Sequence, residues 1–363
     1  VSSIKGKSLE SAPVATLSMA LAGQISGLSV IEQTYSPENA WARVLLRGAS
    51  NPKNANESPA VVIDGVPYFY GYWSNPFEYI TAREIESITV LKDASTEALY
   101  GVKGGNGVIV ITTKRGQKGK VNIDVAYDQS VRQPIKTPKV FHSWEYATLK
   151  NEAAYNDNPS GGKTQIYSPY QIAQYASGEN RDLYPDNNWY DMFYRELATM
   201  ERANISISGG SDKFVYYTNV NFMHQSNQFR TEDELYKSSF NTNWVNFRSN
   251  VDVQVNKYLQ AYLRVAGNVL RTRNPVNQSY SELYNALFQL PANMYGPVTP
   301  AVYNTITGEL EDEGGVPIVG EHYTNSVYGM LNKAGSSKTT HVNIMSQFGL
   351  KLDLGFVTKG LSL

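Results

Sequence analysis

The chain has 363 residues, a formal charge of -1 and a mean hydropathy of -0.38, which is length enough for two domains with cores of their own. Near-neutral charge without a basic block excludes an electrostatic nucleic-acid binder, and no apolar run reaches the roughly 18 to 20 residues of a membrane helix. With no cysteine there is no disulfide framework, thiol catalysis or cysteine-ligated zinc, while tyrosine is over-used at 26 residues against 12 phenylalanines, as suits membrane interfaces and sugar-binding surfaces.

In chain order, Ser11 to Val30 (SAPVATLSMALAGQISGLSV) predicts a short helix followed by a strand. Ala42 to Gly48 (ARVLLRG) and Val61 to Pro67 (VVIDGVP) predict short apolar strands closed by Gly or Pro, with Asp64 and Gly65 as an ordinary turn dipeptide. Tyr68 to Tyr79 (YFYGYWSNPFEY) carries seven aromatic residues in twelve. Ile85, Ile88, Val90 and Leu91 are spaced as a buried strand, and Asp93 and Ser95 are placed to cap a helix through Glu97 to Tyr100. Gly101, Gly104, Gly105 and Gly107 then permit the positive-φ turns that return the chain into a strand from Val108 to Thr113. This glycine run lacks the spacing of a phosphate loop, and Lys103 precedes the paired glycines instead of following them.

Beyond Gly119 the pattern becomes long, strict alternation. Val245, Phe247, Val251, Val253 and Val255 share one face, while Asn246, Arg248, Asn250, Asp252, Gln254 and Asn256 share the other, as a water-filled interior requires. The same period of two runs through Val121 to Tyr127, Ala203 to Ile207, Tyr216 to Phe222, Ala261 to Val269 and Val342 to Leu354, with a seventh strand only beginning at Gly360 to Leu363. A soluble sandwich also alternates. These runs, however, exceed the usual strand of about 5 to 6 residues and match the roughly 9 to 11 that cross a bilayer at a tilt. Long connections, about 131–201, 225–239 and 271–338, also alternate with short ones.

Within the first long connection, Ser143 to Asn156 predicts a capped amphipathic helix and Tyr167 to Gly178 a second one ending in glycine. Asp186, Asn187, Asn188 and Asp191 offer oxygen ligands for calcium but lack the glycine and terminal glutamate of an EF-hand loop. Glu309, Glu311, Asp312 and Glu313 predict a solvated loop tip. His142, His224, His322 and His341 are scattered, Gly48 to Pro52 departs from a nucleophile elbow at its last position, and no paired carboxylates appear, so no catalytic residue, cofactor or metal is expected.

Taken in order, SAPVATLSMALAGQISGLSV, RVLLRG, VVIDGVP, VLKDAS and YGVKGGNGVIVITTKRG closely resemble the plug domain of SusC/RagA-like TonB-dependent transporters of Gram-negative outer membranes. The resemblance implies an α+β plug over residues 1–119 and, over 120–363, the first strands of an antiparallel transmembrane β-barrel, 22-stranded in the family. It implies active import of oligosaccharide or peptide cargo by a barrel in outer-membrane lipid. The implied partners are a SusD-like surface lipoprotein lid and TonB with ExbB and ExbD, and dimers of transporter and lid are an expected assembly. Tyr68, Phe69, Tyr70, Tyr72, Trp73 and Phe77 are the expected cargo-contacting rings, although packing between plug and barrel wall explains such rings equally well. A surface glycan-binding or adhesive β protein and a passive porin are the alternative readings.

Overall fold

The computed structural model describes residues 2–12, 14–32, 42–46, 48, 58–68, 75–92, 100–101, 104–162, 165–232, 238–276, 279–318, 326–355 and 358. The first unit is a five-stranded sheet in the order β1 (Ser2–Lys5), β6 (Ile85–Leu91), β7 (Val108–Thr113), β4 (Ala60–Ile63), β5 (Val66–Tyr68). Only β4 and β7 run parallel, so the chain between them must cross over, whereas β4 turns directly into β5. The expected buried strand is present, with Ile85, Ile88 and Val90 all inaccessible to solvent. They pack under Val61, Ile63, Ile109 and Ile111 from the sheet and under Leu17 and Leu21 from the short helix α1 (Leu17–Ala20) and its C-terminal turn. Leu28 and Leu46 close the same core from the antiparallel pair β2 (Leu28–Glu32) and β3 (Ala42–Leu46).

Six strands follow in one antiparallel sheet: β8 (Gly119–Arg132), β9 (Ala198–Gly210), β10 (Phe214–Ser226), β11 (Asn241–Gln254), β12 (Leu259–Pro275) and β15 (Ser336–Leu352). Each pairs with its chain neighbour, and β8 and β15 are the edges. The connections 211–213 and 255–258 are short and lie at one end, while 133–197, 227–240 and 276–335 are long and lie at the other. The expected beginning of a seventh strand at Gly360 to Leu363 lies outside the described residues.

Burial in this sheet is inverted relative to a soluble protein. Val125 is 68% exposed and Ile344 77%, and Ile205, Phe222, Phe247 and Leu263 lie on the same outward face. Asn204, Asn219, Asn246 and Asn250, on the inward face, are buried. An apolar exterior over a polar interior is the pattern of a lipid-facing barrel wall and is contrary to what a water-soluble sandwich requires. The expectation of a water-filled interior is corrected at this level, because Arg248 and Asn250 are covered by the first unit instead of by solvent. With this face and two open edges, the 363-residue chain expressed without detergent should elute as aggregate, and detergent should rescue it. A sharp monomer peak in plain buffer would refute the wall assignment.

The long connections fold together. Helix α2 (Ser143–Asp157) begins where the Glu145 carboxylate accepts the His142 N–H at 2.9 Å, and α3 (Pro169–Ser177) ends at Gly178 in the left-handed region with φ 69. The expected amphipathicity of α2 is not observed: it buries Ser143 and Ala147 while Trp144 and Leu149 remain exposed. Sequence periodicity missed α4 (Trp189–Phe193), α5 (Tyr280–Gln289) and α6 (Val327–Asn332). These three helices, joined by Phe229 and Phe240, bury a second aromatic core of their own. The acidic residues Glu311 and Asp312 lie at or beside the small exposed hairpin of β13 (Val302–Tyr303) and β14 (Leu310–Asp312), as expected of a solvated tip.

Candidate plug and wall interface

The inner face of the wall meets the first unit through a mostly polar seam. Glu84, at the end of a 3-10 turn leading into β6, accepts from Arg248 Nε of β11 at 3.0 Å, with side chains only 1% and 5% exposed. Burial pushes the Glu84 carboxyl above the ordinary range, against the downward pull of Arg248. One strand turn away, Asn250 Nδ2 donates to Thr113 Oγ1 at 2.9 Å and to the Lys114 carbonyl at 2.8 Å. Further contacts come from Arg83, which donates to Asp128 at 3.0 Å, from Asn268 to the Glu78 carbonyl at 2.7 Å, and from Arg202 to the Val14 carbonyl at 2.6 Å. Ala15 against Met200, Met223 and Trp244 supplies an apolar patch.

Asp64 proves more than the ordinary turn residue the sequence suggests. It takes φ 50 and Gly65 takes φ 88, the pair of positive angles that a two-residue hairpin demands. Its carboxylate accepts from the Thr113 N–H at 3.0 Å, the Thr113 hydroxyl at 2.6 Å and Arg115 at 2.9 Å. Because Thr113 Oγ1 donates to Asp64 and accepts from Asn250, the β4–β5 hairpin is tied to the wall through one hydroxyl. Asp64, Glu84 and Arg248 were not singled out as site residues in the sequence; for Arg248 the available signal was a charge on the inward face of an alternating strand, while Asp64 and Glu84 lie in turns that carry no such signal.

Of the rings expected to contact cargo, Phe69, Tyr70, Tyr72 and Trp73 lie outside the described residues. Tyr68 ends β5, with its ring centroid 5.8 Å from that of Tyr79. It lines a gap of about 60 Å³ together with Asp64, Arg248 and Arg264, a position nearer the short-turn end of β12 than the long connections. Phe77 is corrected outright: it is fully buried in the core of the first unit, where the Asn75 side chain accepts its N–H at 3.1 Å. Phe77→Ala should therefore cost about 3 to 5 kcal/mol of stability, read as a lowered unfolding midpoint of the plug. An unchanged midpoint would return Phe77 to the candidate binding rings. Glu78 beside it is held at about 7 by burial.

The oxygen ligands considered for calcium are already committed to the loop fold. Asp186 accepts from the Ser143 N–H at 2.7 Å and sits 3.0 Å from His142 Nδ1, while Asn188 accepts from the Asp191 N–H at 3.2 Å. Among the described residues no cluster of three or more His, Asp or Glu has metal-site geometry.

A five-stranded unit seated by a polar seam on an inside-out wall is a plug-and-wall arrangement. Residues 1–108 match the family model of the TonB-dependent receptor plug domain. The TonB-dependent receptor P26 of Formosa agariphila is 27% identical over 351 residues, 96% of this chain and 31% of that protein. The TonB-dependent receptor SusC of Bacteroides thetaiotaomicron is 31% identical over 220 residues, 58% of this chain and 20% of that protein. The solved RagAB peptide transporter shares the fold with a TM-score of 0.68 at 18% identity, covering 97% of this chain and 39% of that one. The chain thus carries a TonB-dependent receptor plug-domain match over residues 1–108 and is similar to SusC-like TonB-dependent receptors. It spans about a third or less of these curated relatives, which are receptors and not enzymes.

Proposed function

We infer that the complete protein imports a nutrient, an oligosaccharide or a peptide, across the outer membrane, energised by TonB with ExbB and ExbD and served by a SusD-like lipoprotein lid. The observation that carries this reading is the seam: a folded plug occupies the inside of the wall, held by hydrogen bonds and ion pairs instead of a continuous apolar core. Polar contacts of this kind exchange for water at modest net cost, so a pulling force applied to the plug meets a resistance that can be overcome and later re-formed. A passive porin needs no such occupant.

The test is uptake of labelled cargo by cells with and without TonB. Import predicts accumulation that falls to background without TonB while surface binding persists. Uptake that continues without TonB indicates a pore, and binding without uptake in either strain indicates an adhesin.

Cargo is held, in this reading, by the rings of Tyr70, Tyr72 and Trp73. Their simultaneous replacement with alanine should weaken cargo binding at least tenfold while the amount of heat-modifiable folded barrel is unchanged, because an exposed stacking platform adds to affinity and little to folding. Loss of folded protein with full affinity in the survivors would reassign these rings to packing.

A further inference from the structure

The outward rows of β12 and β15 change character at the end that carries the long connections. Along β12 every second residue faces outward, and the row Leu263, Val265 and Val269 gives way to Arg271 and Arg273. The matching row of β15 runs from Leu350, Phe348, Ile344 and Val342 to Thr340 and Lys338. Because Val269 lies opposite Val342 and Arg273 opposite Lys338, both strands leave the apolar band at the same height.

The cations at this height stand together without a counter-ion. Arg273 and Lys338 are directly opposed across the strand pair, with Cβ atoms about 5 Å apart, and Arg271 is the next outward residue along β12. Like charges placed this way destabilise the pair. None of the three side chains holds a hydrogen bond or ion pair among the described residues. In the row of Arg271, Asn243 and His224 bond each other at 2.8 Å. The one carboxylate of that row, Glu201, is three strands away, about 14 Å at ordinary strand spacing and beyond the roughly 8 to 10 Å over which salt leaves exposed charges coupled. Glu282, the first acid after β12, is turned back onto Ser279, whose N–H and hydroxyl it accepts at 2.9 and 2.7 Å.

Position and charge together choose the occupant. Side chains immediately beyond the apolar band of a lipid-facing wall lie at the headgroup level, where the long stems of arginine and lysine carry their charge to lipid phosphate. A phosphate monoester carries a charge of about −1.5 to −2 and three strong acceptors, and so answers three neighbouring cations. A zwitterionic headgroup brings an ammonium that the same cations repel.

We propose that Arg271, Arg273 and Lys338 bind the phosphate of an anionic lipid in the leaflet on the side of the long connections. The site rests on the lipid-facing wall and is independent of TonB and of cargo.

The experiment uses the complete transporter in maltoside micelles, with bound lipid counted by native mass spectrometry. The probes are monophosphoryl lipid A, the same lipid with its phosphate removed, and inorganic phosphate. The phosphorylated lipid should bind, and Arg273→Gln together with Lys338→Gln should weaken that binding about thirtyfold. Lys213→Gln, in a short turn at the opposite end of the wall, should leave it unchanged. Without lipid the double variant should keep or raise the thermal midpoint, since it removes two opposed like charges, and this separates lost binding from lost folding. The proposal is overturned if the dephosphorylated lipid binds as tightly, if inorganic phosphate displaces the lipid at equal concentration, or if binding ignores the double variant. Phosphate-dependent binding supports it even where uptake proves independent of TonB. A complete transporter that is monodisperse without detergent overturns the wall and this site together.

Discussion

Arg248→Ala is expected to lower plug stability in the complete transporter by about 3 to 5 kcal/mol, because it strands the Glu84 carboxylate in a site that is 1% exposed. The double replacement Glu84→Gln with Arg248→Met should recover most of that loss, since neither side then carries a buried charge. Urea titration of plug unfolding, with the barrel still resistant to detergent, gives both midpoints. The deficit of the single variant should also depend on pH. Burial already raises the Glu84 carboxyl, and removing Arg248 takes away the group that pulls it down. An acid with a folded pKa above its unfolded value carries its full penalty above the folded pKa and loses it as pH falls toward the unfolded value, because the folded state binds the extra proton. The Arg248→Ala deficit should therefore shrink on acidification through that window, down to the ordinary glutamate range. A deficit that stays flat with pH would mean that the lost contact is packing by the arginine stem and not its charge.

Gly107→Val should prevent the plug from seating as shown. Gly107 has φ +88, which a β-branched residue adopts only with strain, and a Cβ there would stand 2.0 Å from Leu46 Cδ2 and 3.2 Å from Leu46 Cγ. Leu46 is itself held in the plug core, so it has nowhere to retreat without opening that core. The combined cost exceeds that of strain alone, about 1 to 3 kcal/mol, and approaches the whole stability of a domain this small. Limited proteolysis of the plug should show rapid cleavage in Gly107→Val and wild-type resistance in Lys103→Ala, whose charge the sequence places in a solvated turn. Equal resistance would show that the turn bends elsewhere.

How much of this was legible beforehand differs by element. Strand β11 was readable because burial on one side imposes a period of two on the residues themselves, and β6 and β7 were readable as short apolar runs flanking a capping and glycine-rich turn segment. The same was true of α3, where Ser168, Gln171 and Gly178 mark both ends through bonds to nearby backbone. Helices α4, α5 and α6 were not found, since the core that holds them is assembled from three connections far apart in sequence. Trp189, Phe229 and Leu283 meet only after the wall has brought their loops to one end.

Which side of each strand faces outward was expected from the sequence and decided by the third dimension. Alternation by itself fits a soluble sandwich as well as an inside-out wall; strand length and the alternating connections pointed to the wall, and Asn246 and Asn250 being covered while Val125 is bare decided it. The polar seam was invisible for the same reason: Glu84 and Arg248 are 164 positions apart, and nothing local to either records the other. Phe77 and Tyr68 belonged to one aromatic run in sequence, yet a 3-10 turn after Asn75 sends Phe77 into the core while β5 leaves Tyr68 at the wall. Local chemistry therefore determined the strands, the hairpin turn and the family blocks, because those depend on neighbours along the chain. What covers the inward face, the partners of each buried charge and the burial of Phe77 were decided by contacts between distant segments.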